Sequence, residues 1–139
     1  MDATSSLDHQ GLEVLTPEEC WDLIRHAPVG RVAFTATGQP TIIPVNHAVL
    51  GHRIVMRTAR GALLHQAVMN RPIAFEVDGF DPEARTGWSV LVQGLVEPAL
   101  DLDADQLGLA PWADAVERDQ IVVLWPEDVN GRRIVRVDG

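Results

Sequence analysis

The chain has 139 residues, 46% of them apolar, and a formal charge of −9. That is enough for one domain with its own core, and too acidic for the counterion displacement by which proteins hold nucleic acid. No apolar run approaches membrane-spanning length, and residues 1–10 lack the basic start and apolar stretch of a signal peptide, so no membrane segment or leader is expected. The single cysteine excludes an internal disulfide and suits a reducing cytoplasm. All eleven basic residues are arginine and tyrosine is absent, which excludes a lysine nucleophile, a Schiff base, a P-loop and a tyrosine acid.

Residues 1–11 read as a flexible tail, and residues 12–139 as a single domain. Thr16-Pro17-Glu18-Glu19 supplies an N-cap, a proline at the first helical position and a capping-box glutamate. Cys20, Leu23, Ile24 and Ala27 follow at helical spacing, so the helix buries one stripe, with Cys20 as a packed thiol, and Pro28 and Gly30 end it. From Gly30 the period is two: Val32, Phe34 and Ala36 alternate with Arg31, Ala33 and Thr35, and Gly38-Gln39 turns the chain. A second strand is predicted over residues 41–50, interrupted at Pro44, which points to an edge or a bulge. Gly51-His52 makes a turn into a third strand over residues 53–58, and a helix is predicted over residues 61–69, with Leu63, Leu64, Ala67 and Val68 on one face. Further strands are predicted over residues 73–77, 88–96, 120–125 and 132–137, with a polar loop over residues 81–86. Residues 97–119, with seven acids against one arginine, read as a short helix plus loop. Hairpins, one inserted helix and a return to strand predict a small antiparallel barrel, mainly β with peripheral helices.

The junction between the third strand and the following helix can hold an anion. The first amides of a helix lack partners and its dipole favours negative charge, while Arg57, Thr58 and Arg60 add charged forks and a hydroxyl. The same arginines could also do no more than solvate a sheet edge.

Gly30-Arg31-Val32-Ala33, Ile43-Pro44-Val45-Asn46, Met56-Arg57-Thr58, Phe75-Glu76-Val77-Asp78-Gly79-Phe80, Gly87-Trp88-Ser89-Val90 and Gly131-Arg132-Arg133-Ile134 stand in an order and spacing that resemble the pyridoxamine 5′-phosphate oxidase-like, FMN-binding split-barrel family. The resemblance implies a six-stranded antiparallel Greek-key split barrel with flanking helices. It also implies a homodimer with two flavin sites across the subunit interface. Pro44, Val45 and Asn46 would run along the isoalloxazine, partly through backbone groups. Arg57 and Thr58 would face the phosphate, with Arg60 nearby, and Trp88 and Ser89 would contact the flavin. The implied function is an FMN-dependent oxidoreductase acting on a small molecule. The alternatives are a 5-deazaflavin-dependent reductase, a non-catalytic flavin or haem binder, and a structural dimer whose pocket is filled by side chains.

Two departures narrow this. The family's usual phosphate-binding lysine is matched here by Leu63, and residues 134–139 do not reproduce the arginine-histidine motif that holds substrate phosphate in true pyridoxamine phosphate oxidases. Vitamin B6 oxidation is therefore not expected. Asp101, Asp103 and Asp105 imitate a calcium loop, but Gln106 and Trp112 stand where it needs glycine and glutamate. His47, His52 and His65 are not spaced as a metal triad, and His47 follows Asn46 on the candidate cofactor strand.

Overall fold

The computed structural model describes residues 12–59, 71–99 and 119–134, with positions 7, 101, 102, 107 and 108; at positions 58, 59, 119 and 120 only the backbone is described. Its elements are β1 (Glu13–Val14), α1 (Pro17–His26), β2 (Gly30–Ala36), β3 (Gln39–Val45), β4 (His47–Leu50), β5 (Arg53–Ala59), β6 (Pro72–Asp81), β7 (Thr86–Pro98) and β8 (Asp119–Ile134).

The local sequence accounts for α1 and the first turns. Thr16 Oγ1 accepts from the Glu19 amide at 3.2 Å while Glu19 accepts from the Thr16 amide at 2.9 Å, the reciprocal cap that the spacing predicts. The donated Thr16 N–H holds the Glu19 carboxyl below its ordinary pKa. β2 and β3 are joined by Thr37 and Gly38, both at positive φ, the two-residue geometry that matches strand twist. The turn thus falls one residue before the predicted Gly38-Gln39, because the φ of +77° at Gly38 suits its second position. Gly51, also at positive φ, turns β4 into β5 as expected.

Every pairing is antiparallel, and the order across the sheet is β3-β2-β6-β7-β8-β5-β4, with β1 added to β8. The two ends of that order, β3 and β4, are consecutive in the chain, separated by Asn46 alone. The sheet therefore curls until its edges approach, β3 comes against β5, and the chain steps across the gap. Counted with β3 and β4 as one broken strand, this is a six-stranded split barrel. The break falls at Asn46, not at the predicted Pro44, which stays in the ladder opposite Arg31. β3 is an edge strand there, so a missing N–H costs no inner pairing.

Alternation fills the inside. Val32, Ile54, Met56, Phe75, Val77, Val90, Val92, Val122 and Leu124 are fully buried, and α1 adds Cys20, Trp21 and Ile24. Each such burial contributes about 1.5–3 kcal/mol, which is what holds so short a helix in place. Burial also pushes the Cys20 thiol pKa up, so it is the packed, unreactive group that its stripe position predicts.

The two terminal strands expected over residues 120–125 and 132–137 are, through Ile134, one continuous β8. Pro126, Asn130 and Gly131 read as turn residues, but the strand absorbs them at a bulge: Gln93 pairs with Asp128 and Gly94 with Pro126, leaving Glu127 over. Gly94 has no side chain because the Trp125 carbonyl occupies the space a Cβ would take. β7 runs on to Pro98, and Ala99, Leu102 and Leu107 cover Val55, Ile121 and Val123 on the outer face. The predicted helix of residues 61–69, with Leu63, and most of the segment 100–118 lie outside the described residues.

Candidate cofactor site

Inner and outer faces sort the candidate residues. Met56 points inward with the core, so Arg57 falls on the outer face, beside Val55 on its own strand and across from Ile121 on β8, and is half-buried. The β4–β5 ladder ends at His47 opposite Met56, so the next positions along the two strands are Asn46 and Arg57. Pro44 is exposed on the outer face of β3, whereas the Val45 side chain is buried and offers that face only its backbone. The split in the barrel thus gathers an amide side chain, a guanidinium and the Pro44–Asn46 backbone. This donor set suits an anionic, planar ligand. Thr58 follows on β5 opposite Gln120, and Arg60 lies outside the described residues.

Trp88 and Ser89 are elsewhere. They sit on β7 with opposite orientations, Trp88 packing on the core and Ser89 facing outward between Asp78 of β6 and Arg132 of β8. The Trp88 ring lies against Gly79, where a Cβ would come within 2.7 Å of Nε1, and Phe80 lies across Gly87 on the other face. Gly79, Phe80, Thr86, Trp88 and Arg133 line a cleft of about 450 Å³. Arg133 is held there by Glu13 at 2.7 Å and Glu19 at 3.7 Å. Ile121, opposite Arg57, and Arg132, opposite Ser89, are eleven positions apart on β8, about 35 Å of strand. Within one chain the two groups stand at opposite ends of the same strand.

Two further groups lie outside the candidate cofactor set. On the outer face, Arg31 Nη1 contacts Glu76 Oε1 at 3.2 Å and Asp78 Oδ2 at 2.9 Å. Partial burial, then the hydrogen bond and charge of Asp78, push the Glu76 carboxyl up to about 7 against the pull of Arg31. The register Arg31↔Glu76 is the signal that joins them, and pairing of β2 with β6 is not legible from local pattern. His47 points into the barrel: its Nε2–H donates to the Ile24 carbonyl of α1 at 2.8 Å, its ring meets Phe75 edge-on, and its buried Nδ1 has no hydrogen-bond partner. Burial lowers its pKa. That inward aim turns the ring away from the outer face that carries Pro44. His52 stacks on Trp21, and among the described residues no cluster of His, Cys, Asp and Glu is arranged to hold a metal. No helix of the described residues is long and apolar enough to cross a membrane.

The family model described as pyridoxamine 5′-phosphate oxidase matches residues 16–133, from the cap of α1 almost to the end of β8. The chain belongs to the pyridoxamine 5′-phosphate oxidase family. It is 38% identical over 129 residues to an uncharacterized protein of Mycobacterium tuberculosis, covering 87% of this chain and 84% of the relative. An FAD binding protein from Mycobacterium smegmatis is similar in structure, with a TM-score of 0.75 and 33% identity over 87% of this chain and 98% of its own. The same fold recurs in an FAD and heme binding protein from Mycobacterium smegmatis, with a TM-score of 0.70 and 18% identity over 89% of this chain and 75% of that one. Family and fold are thus those of the pyridoxamine 5′-phosphate oxidases.

Proposed function

We propose that two copies of this chain bind two flavin nucleotides in sites built between them, and that the protein is a cytoplasmic oxidoreductase acting on a small molecule other than a vitamin B6 phosphate. The observation that carries this is the separation on β8: Asn46 and Arg57 at one end, Ser89 and Trp88 at the other. A two-fold partner that brings its β7 to the split of the first copy unites the two groups, which a single chain keeps apart. The outer face is suited to such a partner, since Ile42, Phe80, Leu95 and Ile134 are 43–67% exposed on it.

The residues fit the ligand. Arg57 supplies a fork for phosphate, Asn46 an amide for the polar edge of the ring, and Pro44 an apolar surface against its plane. The FAD bound by the Mycobacterium smegmatis relative supports a flavin here. FMN is the form the sequence resemblance implies, and FAD and 5-deazaflavin are its competitors. The bound flavin supplies the electron-transfer chemistry, so the chain's part is to bind, orient and exclude water.

The purified protein is expected to be yellow and to release one flavin per chain on denaturation, with chromatography distinguishing FMN from FAD. A colourless protein that shows no spectral change when titrated with FMN, FAD or a 5-deazaflavin overturns the reading. Leu63 at the family's phosphate-lysine position favours a second reading, in which a flavin or haem is held without turnover. A photoreduced flavoprotein that returns no electrons to any acceptor supports that alternative.

A further inference from the structure

Across the outer face the register aligns Pro44, Arg31, Glu76, Leu91 and Asn130 in one row, with Asp78, Ser89 and Arg132 in the next. Apolar and small groups dominate around them: Ile42, Ala33 and Ala74 on one side, Phe80, Gly87 and Ile134 on the other. The charged groups facing this patch are Arg31 from β2, Glu76 and Asp78 from β6, and Arg132 and Asp128 from β8. β3 adds no charged side chain, and beside them β7 contributes Ser89, Leu91 and Gln93. Fully ionised, the set carries three negative charges against two positive ones. Arg31 is ion-paired to both Glu76 and Asp78, so this cluster sets two carboxylates on one guanidinium.

We propose that this Arg31–Glu76–Asp78 cluster takes up one proton per chain when two copies close over the face, so that dimerisation strengthens as pH falls. The inference rests on the homodimer of the preceding section. A two-fold interface uses the same patch on both copies, so each brings the same excess negative charge into a medium from which water is being removed. A shared proton between Glu76 and Asp78 leaves one net carboxylate for the one guanidinium and cancels the excess. The already raised Glu76 pKa in the single chain sets the starting point, and a closing partner desolvates it further.

Sedimentation velocity of the protein as purified across about pH 6 to pH 8.5 tests this through proton linkage. The wild type is expected to lose dimer affinity as pH rises, by up to about 100-fold per pH unit where both protons are taken up on association. Glu76→Gln and Asp78→Asn each leave one carboxylate for Arg31 and are expected to dimerise with little pH dependence. Infrared spectra should show a protonated carboxyl band in the wild-type dimer at neutral pH that Glu76→Gln removes. A wild type that dimerises equally across the range, or a dimer without that band, overturns the proton uptake and leaves the dimer standing. A wild type and Glu76→Gln that both stay monomeric throughout overturn the dimer itself.

Discussion

Arg57 is the residue on which the phosphate reading turns. A charge-assisted, two-pronged contact contributes on the order of 1.5–3 kcal/mol, so Arg57→Ala should weaken FMN binding by roughly one to two orders of magnitude in a calorimetric titration. Arg57→Lys should recover only part, since an ammonium is a point charge and cannot reproduce the fork. Wild-type affinity in folded Arg57→Ala would return the residue to the solvation of a sheet edge. His47 makes a different prediction, about stability. Its folded pKa lies below the ordinary 6.5, so the unfolded chain binds the extra proton first as pH falls through that value. The stabilising contribution is fully present above about pH 6.5 and is lost as pH falls toward the depressed folded pKa. His47→Gln can keep the donor to the Ile24 carbonyl without the titration, so urea denaturation should show a shallower loss of stability below that pH than in the wild type. An unchanged acid limb would mean that carboxylates, not His47, set it.

At the scale of the element, what could be read depended on whether the cause was local. The cap of α1 lies within four residues, and both of its hydrogen bonds form; Thr16→Ala should accordingly lower stability by about 1 kcal/mol, measured by denaturant midpoint. The β2–β3 and β4–β5 turns were legible for the same reason, through glycines that adopt positive φ. β8 was not. Pro126, Asn130 and Gly131 signal turns locally, yet a β7 partner that runs from Val122 to Ile134, β1 on its far half and β5 on its near half override them. The bulge that makes this possible depends on Gly94, whose missing Cβ leaves room for the Trp125 carbonyl. That obstruction is backbone and cannot rotate away, so Gly94→Ala should destabilise by about 1–3 kcal/mol, the range typical of overpacking. Gly38→Ala, with open space around it but a positive φ, isolates backbone strain from this clash.

For the whole molecule, the sequence was most informative about the kind of fold and least about which parts of the site meet. Alternating apolar residues, short turns and a family-like order of motifs are enough for a mainly β split barrel, and the curled sheet has that form. The candidate site could not be assembled in the same way. Pro44, Asn46 and Arg57 come together because the edges of the sheet approach at the split, and Trp88 and Ser89 separate from them because β8 is long. Both are consequences of strand order and register, to which local pattern is blind. The same geometry leads to a prediction about folding. Ile42, Phe80, Leu95 and Ile134 lie on the outer face of β3, β6, β7 and β8, with half-buried Leu91 between them. If a second copy covers that face, part of the apolar burial belongs to association, and unfolding is coupled to dissociation. The thermal midpoint of the flavin-free protein should therefore rise with protein concentration. Adding FMN to about 100 times its dissociation constant should stabilise by a further ~2.7 kcal/mol. Ile42→Ser should flatten the concentration dependence while leaving the inner core, and hence the far-ultraviolet spectrum, unchanged, because its side chain faces outward. A midpoint independent of concentration in the wild type would show a barrel that folds alone, with the two halves of the site left apart.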